Sequence, residues 1–153
     1  MKFTGAFDVK ASQPEVWDKI RDPGLMAECI PGCDSIERLS ETSYRAVVAV
    51  KVGPIGARFN LVVDVVSEEP PSRVLARARG EEGGRASALN SESVISLAAL
   101  EEGGTRVSYE ADVSITGRLG KFGLGIMRKK VEQLSETFVA TFRGRIEPGA
   151  AAA

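Results

Sequence analysis

Few residues in this chain have the type or spacing to do chemistry. Its 153 residues contain no histidine, which removes Ser-His-Asp and Cys-His nucleophile pairs and every His-ligated metal site. The two cysteines, Cys29 and Cys33, lie four apart in ECIPGC, and two thiols close no structural zinc site without further ligands. Packing is the plainer use for them, with redox or metal use as the alternative. The proton donors and acceptors worth weighing for catalysis are Tyr44, Tyr109, Glu92 and Cys33, and none has an evident partner in the sequence. No catalytic residue and no metal ligand is therefore assigned. Gly117, Gly120, Gly123 and Gly125 crowd the stretch GRLGKFGLG, but their spacing fits neither the P-loop nor the dinucleotide-fold glycine pattern.

Charge narrows the choice of partner. Lys plus Arg number 20 against 21 Asp plus Glu, so the strong basic footprint of a nucleic-acid-binding chain is missing. The arginines at 73, 77 and 79 and the run Arg128, Lys129, Lys130 read as solvated faces or as a local docking surface. No apolar run approaches the ~18 residues that span a bilayer, and MKFTGAFDVK carries charges where a signal peptide needs its apolar core. The chain is expected to be cytoplasmic. With 43% hydrophobic and 27% charged residues it has the mix of one globular domain, expected over 1–146, followed by a disordered tail over 147–153.

One long helical pattern must position whatever site exists. Phe122, Ile126 or Met127, Val131, Leu134, Phe138 and Phe142 recur in steps of three and four, predicting a helix over about 120–143. Before it, the chain reads mostly as strands. Phe3, Gly5, Phe7 and Val9 alternate in a first strand. Ser12, Pro14 and Glu15 have the spacing of a capping box, opening a short helix with Val16, Trp17 and Ile20. Asp22-Pro23 breaks it and starts a second short helix, which Pro31-Gly32 ends. Six strands follow, with inward rows at Tyr44, Ala46, Val48, Val50 and Val52, then Ile55 to Val65, then Val74, Ala76 and Ala78, and last Val107 to Ile115. The facing of the segment 85–98 is not decided by its mixed pattern. The expected fold is α+β: a curved seven-stranded antiparallel sheet wrapped around the long C-terminal helix, with two short helices between strands one and two.

The space between helix and sheet is either core or cavity. Ala46, Ala57, Ala76, Ala78 and Ala111 lie on the expected inward face, and small residues leave a hollow unless bulky partners such as Trp17, Phe59 and Phe122 meet them. A hollow would suit an apolar ligand, its wall candidates being Tyr44, Val48, Val50, Phe59, Leu61, Ala76, Ala78, Tyr109, Val113, Phe122, Ile126, Val131 and Leu134. Glycine costs about 1 kcal/mol against alanine inside a helix, so the glycine-rich start of the long helix reads either as a simple turn or as a lid. In the second reading Leu119, Phe122 and Leu124 gate the cavity or touch a lipid surface.

The chain carries the local patterns Val16-Trp17-Asp18 with Asp22-Pro23, Cys29-Ile30-Pro31-Gly32-Cys33, Val52-Gly53-Pro54-Ile55, Pro70-Pro71, Gly103-Gly104-Thr105 and Gly117-Arg118-Leu119. Together they resemble the G-subunit family of carbon monoxide dehydrogenase, within the polyketide cyclase and lipid-transfer (SRPBCC) superfamily. The chain carries Gly120 where this family is expected to have alanine. The resemblance implies a helix-grip fold with a deep hydrophobic cavity and a non-catalytic role. It also implies a cargo such as menaquinone or ubiquinone, and coupling of a molybdenum-containing carbon monoxide dehydrogenase or related hydroxylase to the inner face of the cytoplasmic membrane. Two alternatives stand beside the carrier reading: a cyclase or dehydratase built on the same fold, and an assembly or docking factor without ligand.

Overall fold

The computed structural model describes residues 1–121 and 124–147, without the side chains of Arg85 and Leu124. Its elements run in the order β1 (Lys2–Val9), α1 (Gln13–Ile20), α2 (Pro23–Cys29), β2 (Cys33–Arg38), β3 (Ser43–Val52), β4 (Ile55–Glu69), β5 (Arg73–Glu82), β6 (Ser87–Ala99), β7 (Thr105–Gly117) and α3 (Leu124–Ile146). All seven strands form one antiparallel sheet in the order β1-β7-β6-β5-β4-β3-β2. Each neighbour but the β1–β7 pair is joined by a hairpin. The helix pair α1–α2 carries the chain from one edge strand to the other, and α3 returns across the concave face. This is the helix-grip architecture expected from the sequence.

Strand register places the inward rows. Phe3, Gly5, Phe7 and Val9 stand opposite Ala111, Tyr109, Val107 and Thr105, and those oppose Ser93, Ile95, Leu97 and Ala99. The undecided strand β6 thus turns Ser87, Leu89, Ser91, Ser93, Ile95 and Leu97 to the concave side. Ser93 and Ser91 stand there opposite the small Ala76 and Ala78 of β5.

Two hydrophobic clusters pin α3 at its ends. Around its C-terminal half, Phe142 and Ile146 pack with Val9, Val16, Trp17, Cys29, Leu97 and Val107. Phe142 is fully buried, stacked on Phe138 at 5.6 Å and edge-on to Phe7 at 6.2 Å. At its N-terminal end, Met127 packs with Val52, Ala57, Phe59 and Leu119. Arginines and a carboxylate from the C-terminal part of the chain cover the free edge of β1: Arg128 donates to the Lys2 carbonyl, Arg143 to the Asp8 carbonyl, and Glu147 accepts from the Lys10 amide at 2.8 Å. Capping that edge blocks a further strand from adding there. Residues 148–153, expected to form the disordered tail, lie outside the described residues, whereas Glu147 is tied to the end of β1 by this contact.

Two local expectations are corrected. Ser12 occupies the N-cap of α1 but makes no side-chain capping bond, so the capping box does not form. Asp22, at the start of α2, is the working cap instead, its carboxylate accepting from the amides of Gly24 and Leu25 at 3.0 and 3.2 Å. The long helix starts at Leu124 rather than near Gly120, because a 3-10 turn over Leu119–Lys121 precedes it. That turn is fixed by close packing: Gly117 has φ +86°, and a side chain there would overlap the Ala86 carbonyl.

The turn between β7 and α3 is bolted to the end of β5. Glu82 is 6% exposed, and both its carboxylate oxygens receive the Arg118 guanidinium. Arg118 also donates to the Gly56 carbonyl at 2.9 Å, and Ser87 Oγ accepts from the Leu119 amide at 3.1 Å. Replacing Arg118→Met strands a buried carboxylate, and urea denaturation should show a loss of about 1–3 kcal/mol. The double variant with Glu82→Gln should recover part of that loss, and purely additive effects would show that the pair is not coupled.

Candidate functional site

Between its two anchored ends α3 stands away from the sheet, and an apolar cavity of about 320 Å³ opens beneath it. Val131, Leu134, Ser135, Phe138 and Val139 of α3 form the roof; Phe7, Ile95, Val107 and Tyr109 form the floor. Ile20 of α1, Met26 of α2, and Ile30 and Pro31 of the following turn close one end. The Asp22 cap and Pro23 set the axis of α2, which brings Met26 and Ile30 over the open end of the grip. Larger grooves of about 570 and 530 Å³ lie on the convex face, among Asn60, Arg77, Arg79, Asn90 and Glu92. Many of their side chains are charged or carry amides, and no residue of α3 lines them.

The cavity holds no charge. Its polar side chains are those of Tyr109 and Ser135, and neither is hydrogen-bonded to another described residue. Tyr109 lies across β1 at Gly5, the residue opposite it in the ladder. A Cβ at Gly5 would overlap the phenol end of that ring. Glycine is therefore required at this position for the phenol to reach over the strand, and no backbone strain is involved. The site can enclose an uncharged apolar group and offer it two hydroxyls.

Of the wall candidates read from the sequence, Tyr109, Val131 and Leu134 line this cavity. Phe59 is buried in the cluster beneath Leu119 and Met127, with Val50 and Leu61 packed against it, so these three fill core rather than wall. Tyr44, Val48, Ala76, Ala78 and Val113 sit half-buried on the concave face without lining the cavity. Ile126 is corrected: it is 52% exposed, because the inward position of that helical turn belongs to Met127. Leu119 is corrected likewise. At 1% exposure it is a core plug, not a lid or a membrane contact. Phe122, and the side chain of Leu124, lie outside the described residues.

Pattern reading missed the end wall of Ile20, Met26, Ile30 and Pro31, the floor residues Phe7, Ile95 and Val107, and Ser135, Phe138 and Val139 of the roof. The usable signal was topological, since helices crossing from one edge strand to the other must pass over the mouth of the grip. Of the four residues weighed for catalysis, only Tyr109 reaches the cavity. Glu92 is on the convex face, paired with Arg77 at 3.1 Å. Tyr44 is on β3, and Cys33 lies at the start of β2, its thiol 3.5 Å from the Ser35 carbonyl. Among the described residues no cluster of three or more His, Cys, Asp or Glu side chains is placed to hold a metal ion.

The sequence profile of CoxG, the G-subunit family of carbon monoxide dehydrogenase, matches residues 5–147. This chain belongs to that family. No curated protein matches it significantly in sequence. Among solved structures it is similar to a conserved protein from Geobacillus kaustophilus, with 24% identity over 95% of each chain and a TM-score of 0.88. It is also similar to a START superfamily protein from Mycobacterium smegmatis, at 14% identity over 95% of this chain and 96% of that one, with a TM-score of 0.74. A third, from Thermus thermophilus, is 17% identical over 100% of both chains with a TM-score of 0.66. These likenesses establish the fold. The CoxG family and the START-like fold together mark a protein of the hydrophobic-ligand-binding kind. No helix among the described residues is long and apolar enough to cross a membrane.

The close approach of Tyr109 to Gly5 can be tested directly. Gly5→Ala should push Tyr109 off β1, shifting its ring resonances in NMR and costing about 1–3 kcal/mol by overpacking, whereas Tyr109→Phe should leave the fold intact. Burial raises the thiol pKa of both Cys29 and Cys33 above the ordinary value. Because the folded-state pKa is raised, stability is full below the unfolded thiol pKa and falls as pH climbs through the folded one. Near pH 8 the folded protein should react with a thiol reagent far more slowly than the same protein in denaturant. Rapid native labelling of Cys33 would instead mark a reactive thiolate.

Proposed function

We propose that this protein is a non-catalytic carrier for an uncharged hydrophobic small molecule, quinone-like or lipid-like, acting in the cytoplasm beside a membrane. By family analogy, it couples a carbon monoxide dehydrogenase-type molybdenum hydroxylase to that membrane. The observation that carries the reading is the apolar cavity under α3, with two unpartnered hydroxyls and no charge. An engineered apolar cavity of about 150 Å³ takes up benzene, so about 320 Å³ has room for a fused two-ring head group. A long isoprenoid or acyl tail would extend out of the cavity. Menaquinone or ubiquinone fits that description, with ring oxygens able to accept from Tyr109 and Ser135.

A cyclase or dehydratase would need an acid and a base in contact with the ligand. Tyr109 stands in the cavity without a titratable neighbour among the residues lining it, which supports binding over catalysis. Native mass spectrometry with organic extraction of the purified protein should release a hydrophobic molecule in near-stoichiometric yield. An empty protein that also fails to take up added menaquinone analogues would overturn the carrier reading.

A further inference from the structure

Arg21, Arg45, Arg58, Arg77, Arg106 and Arg118 each face a carboxylate. A group of lysines on one side of α3 does not. A cleft of about 330 Å³ between the β3–β4 hairpin and α3 is lined by Lys51 and Gly53 on one side and by Ile126, Lys129, Lys130 and Gln133 on the other. None of its lining residues is acidic, and Lys51, Lys129 and Lys130 have no ion pair among the described residues. Ile126 stands in the middle of them, 52% exposed. The spacing 126, 129, 130, 133 makes this a single helical stripe, distinct from the inward stripe of Met127, Val131 and Leu134.

The cleft adjoins the cavity. Lys130 is one helical turn from Leu134, which roofs the cavity. On the sheet side, Pro31 of the cavity wall precedes Gly32, whose carbonyl accepts from the Ala49 amide at 2.8 Å, two residues before Lys51. Strand β2 pairs with β3 only as far as Val48, and beyond it Lys51 lines the cleft together with the α3 residues. Both hollows therefore lie along one seam.

We infer that this cleft is the surface by which the protein settles on an anionic phospholipid bilayer, with Lys51, Lys129 and Lys130 among the phosphates and Ile126 dipping into the headgroup layer. Lysine ammoniums are compact charges on flexible stems that suit a fluid array of phosphates, whereas a folded acidic partner is better matched by arginine forks. An exposed apolar residue ringed by lysines is the pattern of interfacial binding. The placement also brings the seam beside the cavity to the bilayer, which rests on the carrier reading and gives its cargo a short path.

Co-sedimentation of the full chain with vesicles tests this. Vesicles of phosphatidylglycerol and phosphatidylcholine should bind the protein, pure phosphatidylcholine vesicles should not, and high salt should release it. The combined variant Lys51→Ala, Lys129→Ala, Lys130→Ala should lower partitioning about 100-fold, at roughly tenfold or less per lysine. Ile126→Ser should weaken binding while preserving its salt dependence. Arg79→Ala on the convex face should change nothing. Equal binding to neutral vesicles, or anionic binding untouched by the triple variant with its melting curve unchanged, would overturn the inference. Cargo extraction run in parallel separates the two readings. Wild-type protein that carries cargo but ignores vesicles refutes the surface alone, and protein that binds vesicles but is empty of cargo refutes the carrier alone.

Discussion

The structure depends on how α3 is held. It is clamped at both ends by bulky side chains and left unfilled along part of its length. At the C-terminal end Phe142 and Ile146 bury themselves among Val16, Trp17, Leu97 and Val107; at the other, Met127 and Leu119 close over Phe59. Packed interiors tolerate few voids larger than a water molecule, so a cavity under a helix needs supports that stop the helix collapsing onto the sheet. The two clusters are those supports. The stacked rings of Phe138 and Phe142 make the C-terminal one stiff, and Phe138 is itself a wall of the cavity.

Polar contacts fix what apolar packing leaves free. Burial of apolar surface is non-directional and would not by itself decide where α3 begins. The Glu82–Arg118 pair, the Ser87 hydroxyl on the Leu119 amide and the tight backbone at Gly117 set that point. Along its other side, Arg128, Arg143 and Glu147 hold the helix beside β1. The helix is thus located by charged and hydrogen-bonded groups at the rim while its underside remains apolar, an arrangement that spares the cavity from carrying polar groups of its own. The Tyr109 phenol is the exception on the sheet side, and it is admitted only because Gly5 has no side chain.

The order of elements, the antiparallel sheet and the inward rows were legible in the sequence, because alternation with period two and apolar steps of three and four are local properties of the chain. So was the family, through short turn patterns such as Ile30-Pro31-Gly32-Cys33 and Gly117-Arg118-Leu119. In the fold, close backbone approaches demand glycine in those patterns. Gly32, at φ +79°, sits against the Ala49 carbonyl and Gly117 against that of Ala86.

The sequence by itself did not determine which inward residues meet a ligand and which meet each other. Phe59, Leu61 and Tyr109 look alike in an alternating pattern, yet the first two are core and the third is wall. Leu119 and Ile126 exchange their expected roles, one buried and one exposed, because Leu119 packs into the cluster around Phe59 and Met127 takes the inward position on α3. The end wall at Ile20, Met26 and Ile30 exists only once α1 and α2 have crossed from β1 to β2. Periodicity tells a residue which side of its own element it is on; the distance to the opposite element is set by how the two clusters prop α3, and only the tertiary structure decides that.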